Sequence, residues 1–392
     1  MTKNTFSPEL KLVLACCRWP PAPDVVRETA AAVTDWGQFR DLLGRHGVVA
    51  LAGNALSQAG VVLPCKDRNS LQTAIDTQVR KALHITRVTS QLAQLISNAN
   101  IACRFIKGPT LARLAFNDFG LKRSADIDVL VSLTDALMVR DLLLSAGFMH
   151  THSYEMDATT FTRYLRWGKE IPFTNHEGTI VELHVRLAQN QYMMRDLHSE
   201  GDSQDVLIGT VAVPTFSDEL IYPYLCYHGA VHGWSRLKWL ADLNGFLEGR
   251  DVARLHSCAV TQGVADASIV ALSLCRDLLG REKVVSKRFT VVGRLQRSVA
   301  VAAIGNSTGG SEINSFSRIG LALIISGATI GGRWSGAVGG LAAVWNQPHT
   351  RASYGDKSAW IFHLLRGPRF LLSLPTKLRR GAPMVDGAPP RI

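Results

Sequence analysis

Asp126 and Asp128 lie one residue apart in the segment Arg123-Ser124-Ala125-Asp126-Ile127-Asp128-Val129-Leu130-Val131. Side chains of an extended strand alternate between faces, so both carboxylates point one way while Ile127, Val129 and Val131 point into a core. Two carboxylates on one strand face can serve as oxygen ligands for a hard divalent cation. Magnesium keeps near-octahedral geometry and is usually held by one or two carboxylates together with substrate phosphates, which makes a nucleoside triphosphate the natural third party. A strand ending in solvated aspartates would give the same tripeptide, so the surrounding elements must decide between the two.

Before this strand the period of the chain changes near residue 100. Apolar positions recur at helical spacing in Leu10, Val13 and Leu14, in Trp36, Phe39, Leu42 and Leu43, and in Leu83, Ile85, Val88, Leu92, Leu95 and Ile96. Pro20-Pro21-Ala22-Pro23 breaks the first helix from the second. Ile101 to Ile106 reads as a short buried strand, followed by Lys107-Gly108-Pro109-Thr110 and a helix over Leu111 to Phe116. Pro109 suits a first helical turn, where its missing N–H costs little. A strand entering a glycine turn and a helix N-terminus turns free N–H groups and the positive end of the helix dipole toward an anion.

Beyond the aspartates, Thr134 reads as the N-cap of a helix over Asp135 to Ser145, closed by Gly147. Ile171 to Asn175 and Thr179 to Leu187 flank His176-Glu177-Gly178 as a hairpin. Along its second strand Ile180, Glu182, His184 and Arg186 share one face, while Val181, Leu183, Val185 and Leu187 share the other. Glu182 is thereby a third candidate carboxylate, and the charged face of a half-exposed strand is an equal alternative. Helical periodicity returns from about Ser217 and includes Tyr222 to Leu247. His228 and His232 sit four apart on one helical face, a spacing that suits zinc, but no Glu follows His228 and the metalloprotease signature is absent. With Lys238 and Asp242 they form either the helical wall of a nucleotide cleft or a set of buried packing groups. His150 and His152 alternate on a strand and read as surface histidines. A Walker loop, a dinucleotide fingerprint and a Gly-x-Ser-x-Gly elbow are all absent.

With 392 residues the chain can hold two or three domains, and 46% hydrophobic against 19% charged residues argues for a folded core. Its seven cysteines show no Cys-x-x-Cys pair, which points to a reduced, cytoplasmic compartment and away from a zinc ribbon or disulfide framework. Met1 to Leu14 has no basic patch followed by a long apolar run, so no signal peptide is expected. The formal charge of +11 suits polyanionic partners: nucleotides, nucleic acid or a membrane surface. The end of the chain is markedly basic, with Arg366, Arg369, Lys377, Arg379, Arg380 and Arg391 against Asp386 alone from Ile361 onward. Trp360, Phe362, Leu364, Phe370 and Leu372 beside it suit either an interfacial amphipathic segment or a helix packed on the domain. Ile319 to Gly332 is uncharged but shorter than the roughly 20 residues a spanning helix needs, which favours a buried glycine-containing helix pair. The expected division is a helical N-terminal domain (1–100), a catalytic core (101–215), a helical C-terminal domain (216–350) and a basic tail (351–392).

Taken in order, these pieces resemble the nucleotidyltransferase superfamily related to DNA polymerase β. More narrowly, the chain is similar to a bacterial family of uncharacterised nucleotidyltransferases. The resemblance runs through Asp35-Trp36, Arg45-His46-Gly47-Val48, Lys107-Gly108, the Asp126 strand, Val181-Glu182-Leu183-His184, and His228 to Asp242 with its His232-Gly233-Trp234 and Leu237-Lys238-Trp239-Leu240. It implies an α+β fold, with a small mixed sheet flanked by helices in which Asp126, Asp128 and Glu182 hold magnesium, or manganese in its place. The implied activity is transfer of a nucleoside monophosphate from a nucleoside triphosphate, ATP first among them, to a hydroxyl or phosphate of a small molecule or peptide, with Glu182, or the ligand nearest the attacking hydroxyl, as general base. Gly108 would let the backbone approach phosphate, Thr110 and Ser124 would donate to phosphate oxygens, and Lys107 or Arg123 would offset their charge. His184, His228 and Lys238 complete the expected nucleotide contacts. The superfamily usually carries Gly-Ser ahead of the carboxylate strand where this chain has Gly108-Pro109-Thr110. Competing readings are nucleotidylation of a protein side chain or an RNA end, and a non-enzymatic scaffold docked through the basic tail on a membrane or nucleic acid. Aromatic residues at only 7% count against single-stranded nucleic acid.

Overall fold

The computed structural model describes residues 6–151, 156–188, 193–194, 197–282 and 289–305. The glycine-rich stretch beyond Gly305, the basic tail and His152 lie outside the described residues. The chain opens with five helices, α1 (Pro8–Cys16), α2 (Pro23–Ala30), α3 (Trp36–His46), α4 (Val49–Ala59) and α5 (Cys65–Asn98), as the apolar period predicts. Ser7 Oγ accepts the Leu10 N–H to cap α1, and Asp35 Oδ1 accepts the Gln38 N–H to cap α3. Gly47 closes α3 in the left-handed conformation, at φ 69°.

The sheet follows: β1 (Cys103–Phe105), α6 (Gly108–Phe116), β2 (Asp126–Val131), α7 (Ala136–Ser145), β3 (Met149–His150), α8 (Ala158–Trp167), β4 (Glu170–Thr174) and β5 (Ile180–His184). Strand order is β1-β2-β5-β4-β3, with β2 and β5 parallel and the other neighbours antiparallel. This is the mixed sheet of an α+β fold. One face of β2, through Ile127, Val129 and Val131, packs with Val181 and Leu183 of β5 and the Ile85, Val88, Leu92 and Ile96 stripe of α5. The opposite face carries Asp126, Asp128 and then Leu130, and Leu130 belongs to a second core made by the helices.

A hairpin of β6 (Ser203–Ile208) and β7 (Val211–Phe216) comes next, then α9 (Asp218–Val231), α10 (Leu237–Phe246), α11 (Val252–Thr261), α12 (Ala265–Leu279) and α13 (Val291–Gly305). Among the described residues no helix is long and apolar enough to cross a membrane. The helices at the two ends share one core, in which Leu12, Phe39 and Leu43 meet Tyr222, Leu240, Leu243 and Phe246.

Three expected details differ. The helix after β2 begins at Ala136, with Asp135 rather than Thr134 in the capping position, because Ser132 Oγ accepts the Asp135 N–H at 3.1 Å. Arg186 has left the strand, and its guanidinium donates to the carbonyls of Leu165, Arg166 and Gly168 at the end of α8. The helical stretch over Tyr222 to Leu247 is interrupted between Val231 and Leu237. The break has a packing cause: Trp234, in the left-handed region at φ 51°, lays its buried indole on Gly229. A Cβ on Gly229 would fall 2.3 Å from that ring. The turn folds α10 back beside α9.

His46 ties the two ends of the chain together. It is fully buried and its Nδ1 accepts the Leu237 N–H at 3.2 Å, while neighbouring Arg45 donates to the Ala303 carbonyl of α13. Burial, with Arg45 and Arg236 nearby, pushes its pKa down to about 3. The folded pKa lies below the unfolded value of about 6.5, so the stability is complete above that value and is lost as pH falls toward 3. Between pH 7 and pH 5 this one group removes about 2 kcal/mol. Urea unfolding at both pH values should show wild type losing more stability than His46→Asn by about that amount; equal losses would mean that His46 is not held neutral.

Candidate active site

Parallel pairing of β2 with β5 sets Asp128 directly opposite Glu182, and antiparallel pairing of β4 with β5 sets Glu170 opposite His184. Cross-strand partners share a face, so these four side chains converge. One ligand atom each from Asp128, Glu182 and His184 lie within 4.8 Å of one another. Asp126, on the same face, is half-buried at the first position of β2 and stands outside this group. The structure therefore brings together two of the three expected carboxylates, and a histidine takes the third place.

The turn into α6 supplies the first cation. Gly108 adopts φ 60°, a conformation that side chains disfavour, and the chain there directs Lys107 Nζ to 3.2 Å from Asp128 Oδ1. Thr110 does not face the cleft. Its buried hydroxyl is within donating distance of the Phe105 and Lys107 carbonyls, so it braces the turn. Ser124 is buried just ahead of β2. Arg123 is exposed and reaches back to the Gly44 carbonyl of α3. Its neighbour Lys122 is the buried member of the pair, with Nζ 3.5 Å from Asp242 Oδ2 on α10.

Around His184 the charges alternate. Nε2 lies 3.1 Å from Asp128 Oδ1 and 3.4 Å from Glu182 Oε2, Nδ1 lies 3.2 Å from Glu170 Oε2, and Lys169 Nζ is 2.6 Å from that same oxygen. Burial alone would depress the imidazole, but its hydrogen bonds to Asp128 and Glu182 and the Glu170 charge push it up to about 9. Burial likewise opposes ionisation of Asp128, yet Lys107 and His184 outweigh it and hold that carboxyl well below its usual range. Glu182 moves the other way. Burial raises it and the Asp128 and Glu170 charges add to the rise, against the hydrogen bond from His184. Among the described residues the buried Asp128 Oδ2 has no hydrogen-bond partner. A buried orphan oxygen beside a second carboxylate fits a divalent cation, with His184 as its charged neighbour rather than a ligand.

On the facing helices, His228, His232, Trp239 and Lys238 are all half-buried. Burial and the Lys107 charge hold His228 well below its usual range, and burial with the charge of Lys122 brings Lys238 down to about 8. Sequence reasoning did not single out Lys122, Lys169 or Glu170, and it quoted Trp239 only as part of the Leu237-Lys238-Trp239-Leu240 motif. Glu170 had a usable signal: Ile171 and Phe173 alternate with it along β4.

Residues 32–280 match the sequence profile of a family described as uncharacterised nucleotidyltransferase, well over half of the chain. The chain belongs to this family. The match runs from just before α3 to the end of α12 and contains every residue of the site. No curated protein matches the chain. The protein is accordingly a transferase of the nucleotidyl-transferring kind, acting on a nucleoside triphosphate.

The dependence of Asp128 on Lys107 can be measured on the protein alone. Replacing one partner of a buried pair strands the other charge, so Lys107→Met should lose about 3 kcal/mol in urea unfolding. The double variant Lys107→Met with Asp128→Asn should recover most of that loss. A single variant as stable as wild type would show that Lys107 does not compensate the buried carboxylate.

Proposed function

We propose that this nucleotidyltransferase moves a nucleoside monophosphate from a nucleoside triphosphate onto an acceptor hydroxyl, with the catalytic centre at Asp128, Glu182 and His184. The observation that carries this reading is the buried Asp128 carboxylate, one oxygen unpartnered, in parallel register with Glu182. Asp128 and Glu182 would hold a divalent cation, magnesium or manganese, with Asp126 at the mouth of the strand and His184 beside them. When bound, the metal would neutralise phosphate oxygens and favour in-line displacement at the α-phosphorus.

The chain's own groups divide the remaining work. Glu182, or the ligand nearest the attacking hydroxyl, accepts that hydroxyl's proton. The acceptor oxygen forms a bond to the α-phosphorus as the bond to the pyrophosphate oxygen breaks, and pyrophosphate leaves. Lys107, Lys122 and Lys238 line the approach from β2 to α10 and counter the phosphate charge, with Arg123 at its exposed edge. Gly108 keeps the turn open to phosphate at the N-terminus of α6. ATP is the first triphosphate to test, and a small molecule or peptide is the expected acceptor class.

Thermal-shift titrations of the four triphosphates with Mg2+ or Mn2+ should raise the melting temperature of wild type. Asp128→Asn should abolish that shift and lower pyrophosphate release by on the order of a hundredfold or more, and Glu182→Gln should weaken the metal-dependent shift and lower turnover as well. An Asp128→Asn protein that binds nucleotide with metal as wild type does would remove Asp128 from the centre.

A further inference from the structure

Tyr224 and His228 of α9 and His232, the residue that caps its C-terminal end, follow one another at four-residue intervals, which sets them along one stripe about 12 Å long. The stripe is graded in its surroundings. Tyr224 lies in the field of Lys107, Asp128, Lys169 and Glu170, at the catalytic end. Lys107 and Lys169 act on all three rings, but Asp128 reaches only Tyr224 and His228, whereas Lys238 and Arg236 act on His232. Tyr224 is 5.8 Å from His228 between ring centroids, and His228 meets His232 edge to face at 4.6 Å. His232 then stacks on Trp239 of α10 at 4.7 Å, with 16° between the planes. Lys238 Nζ stands 5.3 Å from the centre of the same indole.

Aromatic packing inside a core would bury these rings and pair their polar edges. Here the rings of His228, His232 and Trp239 are only half-buried, and no ring nitrogen among them is sealed away or hydrogen-bonded to a described residue. A neutral imidazole offers one donor and one acceptor at its edge, and the indole adds a donor. Flat faces, unsatisfied edge groups and an ammonium at the rim match the chemistry of a planar heterocycle joined to phosphate. The distance along α9 from Tyr224 to His232 is on the scale of a nucleoside monophosphate.

We infer that His228, His232 and Trp239 form the nucleobase subsite, on which the base of the triphosphate stacks while its phosphates run along the stripe toward Lys107 and Asp128. The inference rests on the assignment of Asp128 and its neighbours as the donor-phosphate centre. Lys238 marks the junction between base and phosphates. Because stacking uses any π face, the subsite favours the larger purine surface and discriminates only modestly among bases.

Calorimetric titration of the full chain with ATP and, separately, with inorganic tripolyphosphate, each with Mg2+, separates the two parts of the ligand. Trp239→Ala and His232→Ala should each weaken ATP about ten- to hundredfold and leave tripolyphosphate unchanged, and Trp239→Phe should keep most of the ATP affinity. Circular dichroism and the unchanged tripolyphosphate affinity show that each variant is folded. If the alanine variants bind ATP as wild type does, or lose ATP and tripolyphosphate equally, the base subsite is wrong while the phosphate centre stands. If wild type binds neither ligand, the phosphate centre falls and the subsite with it.

Discussion

The structure depends on keeping one carboxylate ionised where water does not reach it. Asp128 sits on a central strand, its side chain 1% exposed, and an unpaired charge there would cost several kcal/mol. Two cations prevent that, Lys107 from the turn before α6 and His184 from the neighbouring strand. Neither is placed by chance. Lys107 points inward because Gly108 can take a positive φ and because the Thr110 hydroxyl holds the Phe105 and Lys107 carbonyls. His184 arrives through the parallel register of β5, and Glu170 and Lys169 extend the alternation of charge behind it. Pairs buried this well add little net stability. Their effect is to fix geometry, leaving Asp128 Oδ2 as the open position.

The helices complete what the sheet begins. The face of β2 that bears the carboxylates runs at Leu130 into the core shared by the first and last helices, so those helices close over the strand. The Trp234 contact with Gly229 breaks the helical run and brings α10 beside α9, which sets Lys238 and Trp239 against His232. A straight helix through this region would carry Trp239 and Asp242 away from the strand. His46 fixes α10 from the other side by taking the Leu237 N–H at its first residue.

How far the site was legible follows from the range of the interactions involved. Asp128 and Glu182 could be read because strand alternation is a local, period-two property, and so could the Lys107-Gly108 turn. Thr110 was misassigned to phosphate because sequence shows that a hydroxyl is present but not which carbonyls it serves. The alternation along β4 put Glu170 on the polar face, but its partner His184 is set by the register of β4 against β5, a pairing across a turn, and Lys169 lies outside the strand. Asp126 kept the correct face, but its place at the open end of β2 separates it from the group, and only the register of the parallel pair reveals that. The break at Trp234 was illegible for a similar reason: apolar periodicity continues through it, and what stops the helix is an indole returning to Gly229.

The opposite pKa shifts of Asp128 and Glu182 follow from the same arrangement. Both carboxyls are largely withdrawn from water on one face of one sheet, and both contact His184. Lys107 stands 3.2 Å from Asp128 and acts on Glu182 more weakly, and that difference sets their states apart. With Lys107 and His184 on it, Asp128 stays ionised; Glu182 has only a share of His184 and feels two carboxylates, so its proton affinity rises. Two acids whose environments push them apart can hold different roles at one pH. The asymmetry originates in the Lys107 ammonium, 3.2 Å from Asp128, since without it the two carboxyls would compete for one imidazolium.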